Sequence, residues 1–208
     1  MEIKHFSLGP LGTNCYILMK EKKAVIIDPG GEGDRLIKWF TENHITPIAI
    51  LLTHAHFDHI GGVEELRTTY NIKVYMHEKE KHWLEDANLN RSMLFTGEKI
   101  VTTPPDALIE PGHFSVGPFS FEILYTPGHS PGSISYFVEE QKVIFSGDVL
   151  FNRGIGRTDL PGGEFSVLYN SIQTMLYKLS NDITVYPGHG PETTIGDEKK
   201  YNPFVNKF

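Results

Sequence analysis

The rhythm of hydrophobic and polar positions changes several times along the chain. "EIKHFSLG", "NCYILMK" and "KAVIIDPGG" are short, rich in β-formers and punctuated by glycine and proline, which predicts strands joined by tight turns. "GDRLIKWFTENH" then spaces Leu36, Ile37, Trp39 and Phe40 as one apolar face behind Asp34 as a candidate cap, and predicts an amphipathic helix over 33–44. The continuous apolar run of "PIAILLT" predicts a buried strand ending at Thr53, and "GGVEELRTTY" opens a further helix.

The second half follows the same grammar without repeating the sequence. "FSFEILYTPGHS", "SISYFVE" and "KVIFSGDVL" predict consecutive strands, and "ITVYPGHGP" a last strand and turn. Between them, "EFSVLYNSIQTMLYKL" places Phe165, Leu168, Ile172, Met175, Leu176 and Leu179 at helical spacing. No linker, low-complexity tract or charge block interrupts the pattern. The expectation is one α/β (α+β) domain over residues 1–208, a sandwich with sheets inside and helices outside.

Composition narrows the function classes. With 26 acidic and 19 basic side chains the formal net charge is −7, the wrong sign for coating a nucleic acid. No apolar run reaches the roughly 20 residues that span a bilayer, so no membrane partner is expected. The single Cys15 cannot form an internal disulfide, and the first twenty residues lack a charged start with an apolar core, so a cytoplasmic protein is expected.

Candidate chemistry concentrates in "THAHFDHIGG", residues 53–62, where His54, His56, Asp58 and His59 sit just past the carboxyl end of a predicted strand. Loops in that place commonly hold ligands in layered α/β folds. Three more ligand-type residues stand past strands in glycine-rich turns: His129 in "TPGHSPG", Asp148 in "FSGDVL" and His189 in "YPGHGP". A structural zinc site takes four protein ligands, whereas seven suit a pair of ions roughly 3.5–4 Å apart sharing one carboxylate. Asp148 is the candidate bridge. One partition gives His54, His56 and His129 to the first ion and Asp58, His59 and His189 to the second, but side chains one or two apart on an irregular loop can point either way. The donors include no thiolate, which favours zinc and leaves iron and manganese compatible. Two cations on one water would give hydroxide near neutral pH, the nucleophile of hydrolysis.

The remaining candidates read more plainly. Three histidines within six positions are improbable by composition when the whole chain holds ten. His5, His44, His77, His82 and His113 stand in isolated contexts as surface or satisfied polar residues. Cys15, inside an apolar strand, reads as a small core residue with nothing nearby in sequence to activate it.

"THAHFDH", "TPGHSPG", "SGDVLF" and "YPGHG", in this order, resemble the five-motif signature of the metallo-β-lactamase superfamily across most of the chain. The resemblance implies a four-layer αββα sandwich with a binuclear site at one edge between the sheets, and the same partition of ligands. "PLGTNCYIL", "IGRTDLPGG" and the final "NPFV" are more narrowly similar to short glyoxalase II-like hydrolases, which act on thioesters such as S-lactoylglutathione. The best-known zinc β-lactamases carry cysteine where Asp148 stands and are exported, which argues against antibiotic hydrolysis. Flavodiiron-type members carry a carboxylate in place of His56, and RNA-processing members need further domains. Full-length glyoxalase II adds a C-terminal helical domain that holds glutathione, and the nineteen residues after His189 are not expected to supply one.

The leading expectation is therefore a thioesterase of the glyoxalase II type. Metal-bound hydroxide would attack the carbonyl, and Asp58 would ligate the second ion and help to orient the hydroxide. The partner would be a small-molecule thioester. Arg153 and Arg157, after Asp148, are the nearest basic candidates for a substrate carboxylate, and a local ion pair would account for either equally well. "GRTDL" also resembles persulfide dioxygenases, in which His54, His129 and Asp148 would form the facial triad of one iron. A lactonase, or a binding module without turnover, completes the alternatives.

Overall fold

The computed structural model describes residues 1–206, so the last two positions of the expected domain lie outside the described residues. The chain divides into two compact units: Met1–Ile109 with Ser115–Phe119, and Glu110–Phe114 with the chain from Ser120 onward.

In the first unit β1 (Glu2–Leu8), β2 (Thr13–Lys20) and β3 (Lys23–Ile27) run antiparallel, with Phe6 opposite Cys15 and Tyr16 opposite Ile27. The chain continues through α1 (Gly33–Asn43), β4 (Thr46–Leu51), α2 (Phe57–Ile60), α3 (Val63–Tyr70), β5 (Lys73–Met76), α4 (Ser92–Thr96) and β6 (Ala107–Leu108). The strands lie side by side in chain order, and β3 to β6 pair in parallel. Parallel neighbours need crossovers, which α1 and α3 supply. Because β3 and β4 run together, Asp28 and the Thr53–His59 loop emerge at the same sheet edge. Leu36 and Phe40 of α1 and Val63 and Leu66 of α3 enter the core with Ile17, Ile26, Ile50 and Val74.

α1 differs from expectation at its start. Glu32 precedes it in the left-handed region with φ 50° and makes no side-chain cap, so Asp34 lies inside the first turn. Its charge there still faces the positive end of the helix dipole.

The second unit takes in β7 (Gly112–Val116) as far as Phe114, β8 (Phe119–Tyr125) from Ser120, β9 (Ile134–Val138), β10 (Val143–Gly147), the hairpin β11 (Leu150–Phe151) and β12 (Gly154–Ile155), α5 (Phe165–Thr174), β13 (Thr184–Pro187), β14 (Thr193–Thr194) and α6 (Ile195–Tyr201). Its sheet order is β14-β13-β10-β9-β8-β7. β8 and β10 both run antiparallel to β9, and β13 runs parallel to β10. Strands β8, β10 and β13 therefore share one direction, and the turns carrying His129, Asp148 and His189 leave from one edge. The helix expected over 164–179 ends at Thr174, and a 3₁₀ turn follows at Leu176–Lys178. Leu168, Ile172 and Leu176 still enter one core with Ile144 and Val185, whereas Phe165 is exposed.

The turn before His129 depends on a glycine. Gly128 has φ +129°, and a Cβ there would stand 2.2 Å from the Leu168 nitrogen. Its carbonyl accepts the Glu164 N–H at 2.7 Å, fixing the turn to the start of α5. Gly128→Ala is expected to cost about 2–5 kcal/mol through strain and overlap, read as a lowered urea midpoint.

Candidate metal centre

The first unit gathers four of the seven expected ligands. β4 ends at Leu51, and the chain turns through His54 and His56 into α2, which carries Asp58 and His59. All four side chains are buried. The rings of His54 and His56 lie 4.8 Å apart, and those of His54 and His59 4.2 Å apart. Asp58 Oδ2 lies 3.6 Å from His59 Nε2 and accepts the Thr13 hydroxyl at 2.9 Å. A Cβ on Gly30 would come within 1.9 Å of the Asp58 carbonyl oxygen, so only glycine lets the "DPGG" turn press against this loop.

A hydrogen-bond relay sets the tautomers of two rings. Asp28 is buried at the end of β3, and its carboxylate accepts the Thr53 N–H at 2.8 Å, the Thr53 hydroxyl at 2.6 Å and His59 Nδ1–H at 2.9 Å. The Thr53 hydroxyl has one proton and donates it to Asp28. Its oxygen therefore accepts from His54 Nδ1, 3.0 Å away. Both rings thus carry their proton on Nδ1 and leave an Nε2 lone pair for a cation. The fully buried Glu80 accepts the Ala55 N–H at 2.7 Å, holding the backbone between His54 and His56.

The second unit gathers the other three. His129 Nδ1 donates to the Arg157 carbonyl at 2.8 Å, which again directs the Nε2 lone pair outward from the ring. Asp148 Oδ2 lies 3.6 Å from His129 Nε2 and 3.5 Å from His189 Nε2.

These donors fit divalent cations. Two ligands on a tetrahedral ion at bond lengths of about 2.0–2.2 Å stand about 3.3–3.6 Å apart, beyond the usual 2.7–3.2 Å of a hydrogen bond. All three carboxylate–imidazole separations fall at or near the first range. Nitrogen and oxygen donors without thiolate suit zinc, iron and manganese alike.

The two candidate substrate residues have partners within the second unit. Arg153 Nη1 pairs with buried Glu198 at 2.7 Å, and its guanidinium lies 4.8 Å from the Tyr201 ring. Glu198 also accepts Arg153 N–H, the Thr193 hydroxyl and Asn202 Nδ2, tying the β11–β12 turn to α6. Arg157 meets Asp159 through a two-pronged contact, both arms 2.7 Å, which pulls the Asp159 carboxyl down to about 2. Cys15 is fully buried, and burial with the nearby Asp28 charge pushes its thiol well above the ordinary range, as suits a core residue. His77 caps the 3₁₀ turn Glu78–Leu84, accepting from Lys79 N, while His44, His82 and His113 are exposed. His5 bonds Asn14 at 2.7 Å.

Sequence reading missed Asp28, Thr53, Thr13 and Glu80. Asp28 had a signal, an aspartate at a strand end before a glycine-rich turn, as at Asp148. Glu80 had none.

A sequence model described as the Metallo-beta-lactamase superfamily matches residues 8–189, spanning all seven candidate ligands. The chain belongs to the metallo-β-lactamase superfamily. Among curated members of the superfamily, it is 48% identical to the "Probable metallo-hydrolase YqgX" of Bacillus subtilis (strain 168) over 209 residues, covering 100% of this chain and 99% of that one. It is 39% identical to the "Hydroxyacylglutathione hydrolase GloC" of Haemophilus influenzae, covering 99% of each. Among solved structures, the BLEG-1 B3 metallo-beta-lactamase superposes with TM-score 0.97 at 50% identity, covering 99% of this chain and 100% of that one. The di-iron-bound form of TTHA1623 superposes with TM-score 0.88 at 38% identity, covering 97% and 100%. The fold class is thus the expected mixed α/β one, β-sheets flanked by helices. No helix among the described residues is long and apolar enough to cross a membrane.

Proposed function

We propose that the seven residues act as one binuclear set in a metal-dependent thioesterase of the glyoxalase II type. His54, His56 and His129 hold one ion, Asp58, His59 and His189 the other, and Asp148 serves both. The observation that carries this reading is the single Asp148 oxygen standing 3.6 Å and 3.5 Å from one imidazole of each proposed set. The order of the motifs and the superfamily membership support joining both clusters into one site. The relative named hydroxyacylglutathione hydrolase supports the thioester class, and the di-iron neighbour supports a pair of ions and admits iron beside zinc.

When bound, two such cations lower the pKa of a shared water towards neutrality and polarise the substrate carbonyl. The chain's own residues prepare that chemistry. Thr13 holds Asp58 so that its carboxylate orients the attacking water. The Asp28–Thr53 relay keeps protons on the Nδ1 atoms of His54 and His59, so neither ring presents an N–H to the cations.

β-Lactam hydrolysis is a second reading, favoured by the likeness to the B3 metallo-β-lactamase. One experiment separates the readings: elemental analysis of protein purified without added metal, followed by assays on S-lactoylglutathione, simple thioesters, lactones and a chromogenic cephalosporin. About two zinc or iron ions per chain with preferred thioester turnover is the expected result. Preferred cephalosporin turnover would favour the lactamase. One iron per chain, with oxygen consumed on glutathione persulfide and no hydrolysis, would favour the dioxygenase.

A further inference from the structure

Helix α4 presents an apolar surface to solvent apart from the residues of the proposed metal set. Met93, Leu94 and Phe95 are consecutive and 44%, 66% and 44% exposed, the one such run of large apolar side chains among the described residues. The helix is held firmly. Asn90 Oδ1 accepts the Ser92 N–H at 2.9 Å, and Asn90 Nδ2 donates to the Ile100 carbonyl at 2.7 Å.

That helix is also coupled to the ligand loop of its own unit. Phe57 stands between His56 and Asp58, is 2% exposed, and donates its N–H to the Asn90 carbonyl at 3.0 Å. Its ring stacks on Phe95 with centroids 5.9 Å apart and planes 24° from parallel. Arg91 lies over the Trp83 ring at 5.6 Å, and Trp83 stands 5.8 Å from the His56 ring. Beside the helix, Glu85, Asp86, Asn88, Met93 and Lys99 line an open depression of about 630 Å³. The apolar surface thus connects through the Phe95–Phe57 stack to the residue between two candidate ligands, and Trp83 lies beside the ring of one of them.

The size of the surface indicates its occupant. Three side chains of roughly 200 Å² each, about half exposed, present on the order of 300 Å². A stable protein partner covers roughly 800 Å². A small molecule's apolar chain needs no more than this surface provides.

We propose that α4 is a substrate-recognition element whose Met93, Leu94 and Phe95 seat an apolar chain carried on the acyl or the thiol side of the substrate. The inference rests on the thioesterase reading, which supplies those two sides. It makes the preferred substrate a lipophilic thioester.

Two series of thioesters test it on the metal-loaded protein. One runs from acetyl to decanoyl on a constant thiol, and the other joins a constant acetyl group to alkyl thiols from ethyl to decyl. In one series kcat/KM is expected to rise by up to about fourfold for each methylene seated, and the series that rises identifies the side. In Leu94→Asn and in the double variant Met93→Ser/Leu94→Asn the rise flattens. S-alkyl thioethers, which cannot be hydrolysed, are titrated in parallel by calorimetry, and their affinity should follow the same chain-length trend. Rising thioether affinity without turnover of any thioester would sink the thioesterase reading and leave the apolar seat standing. Flat trends in both series and in the thioethers, or trends that survive in the double variant, would overturn the seat. So would flat trends accompanied by a dimer that dissociates in that variant, since the face would then belong to a second copy.

Discussion

Asp148→Ala is expected to lower hydrolytic turnover by about 10³-fold or more and to reduce the bound metal below one ion per chain. The separations require more of this carboxylate than of any histidine. Its Oδ2 stands 3.6 Å from His129 Nε2 and 3.5 Å from His189 Nε2, each near the edge of a coordination tetrahedron. Removing it therefore takes a donor from both proposed sets at once, whereas His189→Ala takes a donor from one. The histidine variant should keep one ion and lose the other. Elemental analysis after extensive dialysis distinguishes these patterns, and near-ultraviolet circular dichroism shows whether the folded core survives. Two retained ions in Asp148→Ala would rule out the shared oxygen. Because ions that bind only the folded chain stabilise it by mass action, chelation should also lower the melting temperature of the native protein and leave that of Asp148→Ala almost unmoved.

The ligands were legible because they break two rules at once. Histidine and aspartate seldom cluster, and here they follow apolar strands directly and lie beside glycines that permit sharp turns. Co-directional β8, β10 and β13 then bring together turns far apart in sequence, an outcome the strand predictions contained without stating. Asp28 was hidden for the opposite reason. An aspartate before Pro-Gly reads as a turn former, and only the parallel pairing of β3 with β4 carries it to Thr53. The break in α5 was equally concealed, because the four-residue spacing of Leu168, Ile172 and Leu176 does not distinguish continued helix from a 3₁₀ turn: Ile172 and Leu176 stay in one core through either. Arg153 offered no clue to its partner, since Glu198 lies on α6, brought close only by tertiary packing. The segment from Glu78 to Thr96 lacks any apolar period, and its 3₁₀ turn and five-residue α4 were not predicted.

The second large effect is expected at a residue that need not touch a cation. Asp28→Asn should weaken metal binding by about 10–100-fold while leaving every proposed ligand in place. The Asp28 carboxylate accepts three hydrogen bonds, from Thr53 N–H, the Thr53 hydroxyl and His59 Nδ1–H, and has no proton to donate. An amide has one accepting oxygen, and its NH₂ must face a group that was donating. In the Oδ2 place it faces His59 Nδ1 and the Thr53 hydroxyl together, because that one oxygen accepts from both, and the ring must move its proton to Nε2 and present an N–H where a lone pair is needed. The Thr53 hydroxyl then turns away as well and can donate to His54 Nδ1, with the same consequence for that ring, whereas in the Oδ1 place the NH₂ would oppose the Thr53 N–H, a backbone donor that cannot turn away. The backbone is not the cause of either loss, because Asp28 has φ 50° and asparagine adopts the left-handed region readily. Thr53→Val provides the comparison: it severs the relay to His54 and leaves the Asp28–His59 bond intact. Competition against a chelator of known affinity should therefore find both ions weakened in Asp28→Asn and chiefly the His54 ion weakened in Thr53→Val. Native affinity in Asp28→Asn would show that the imidazoles hold their protonation without the relay.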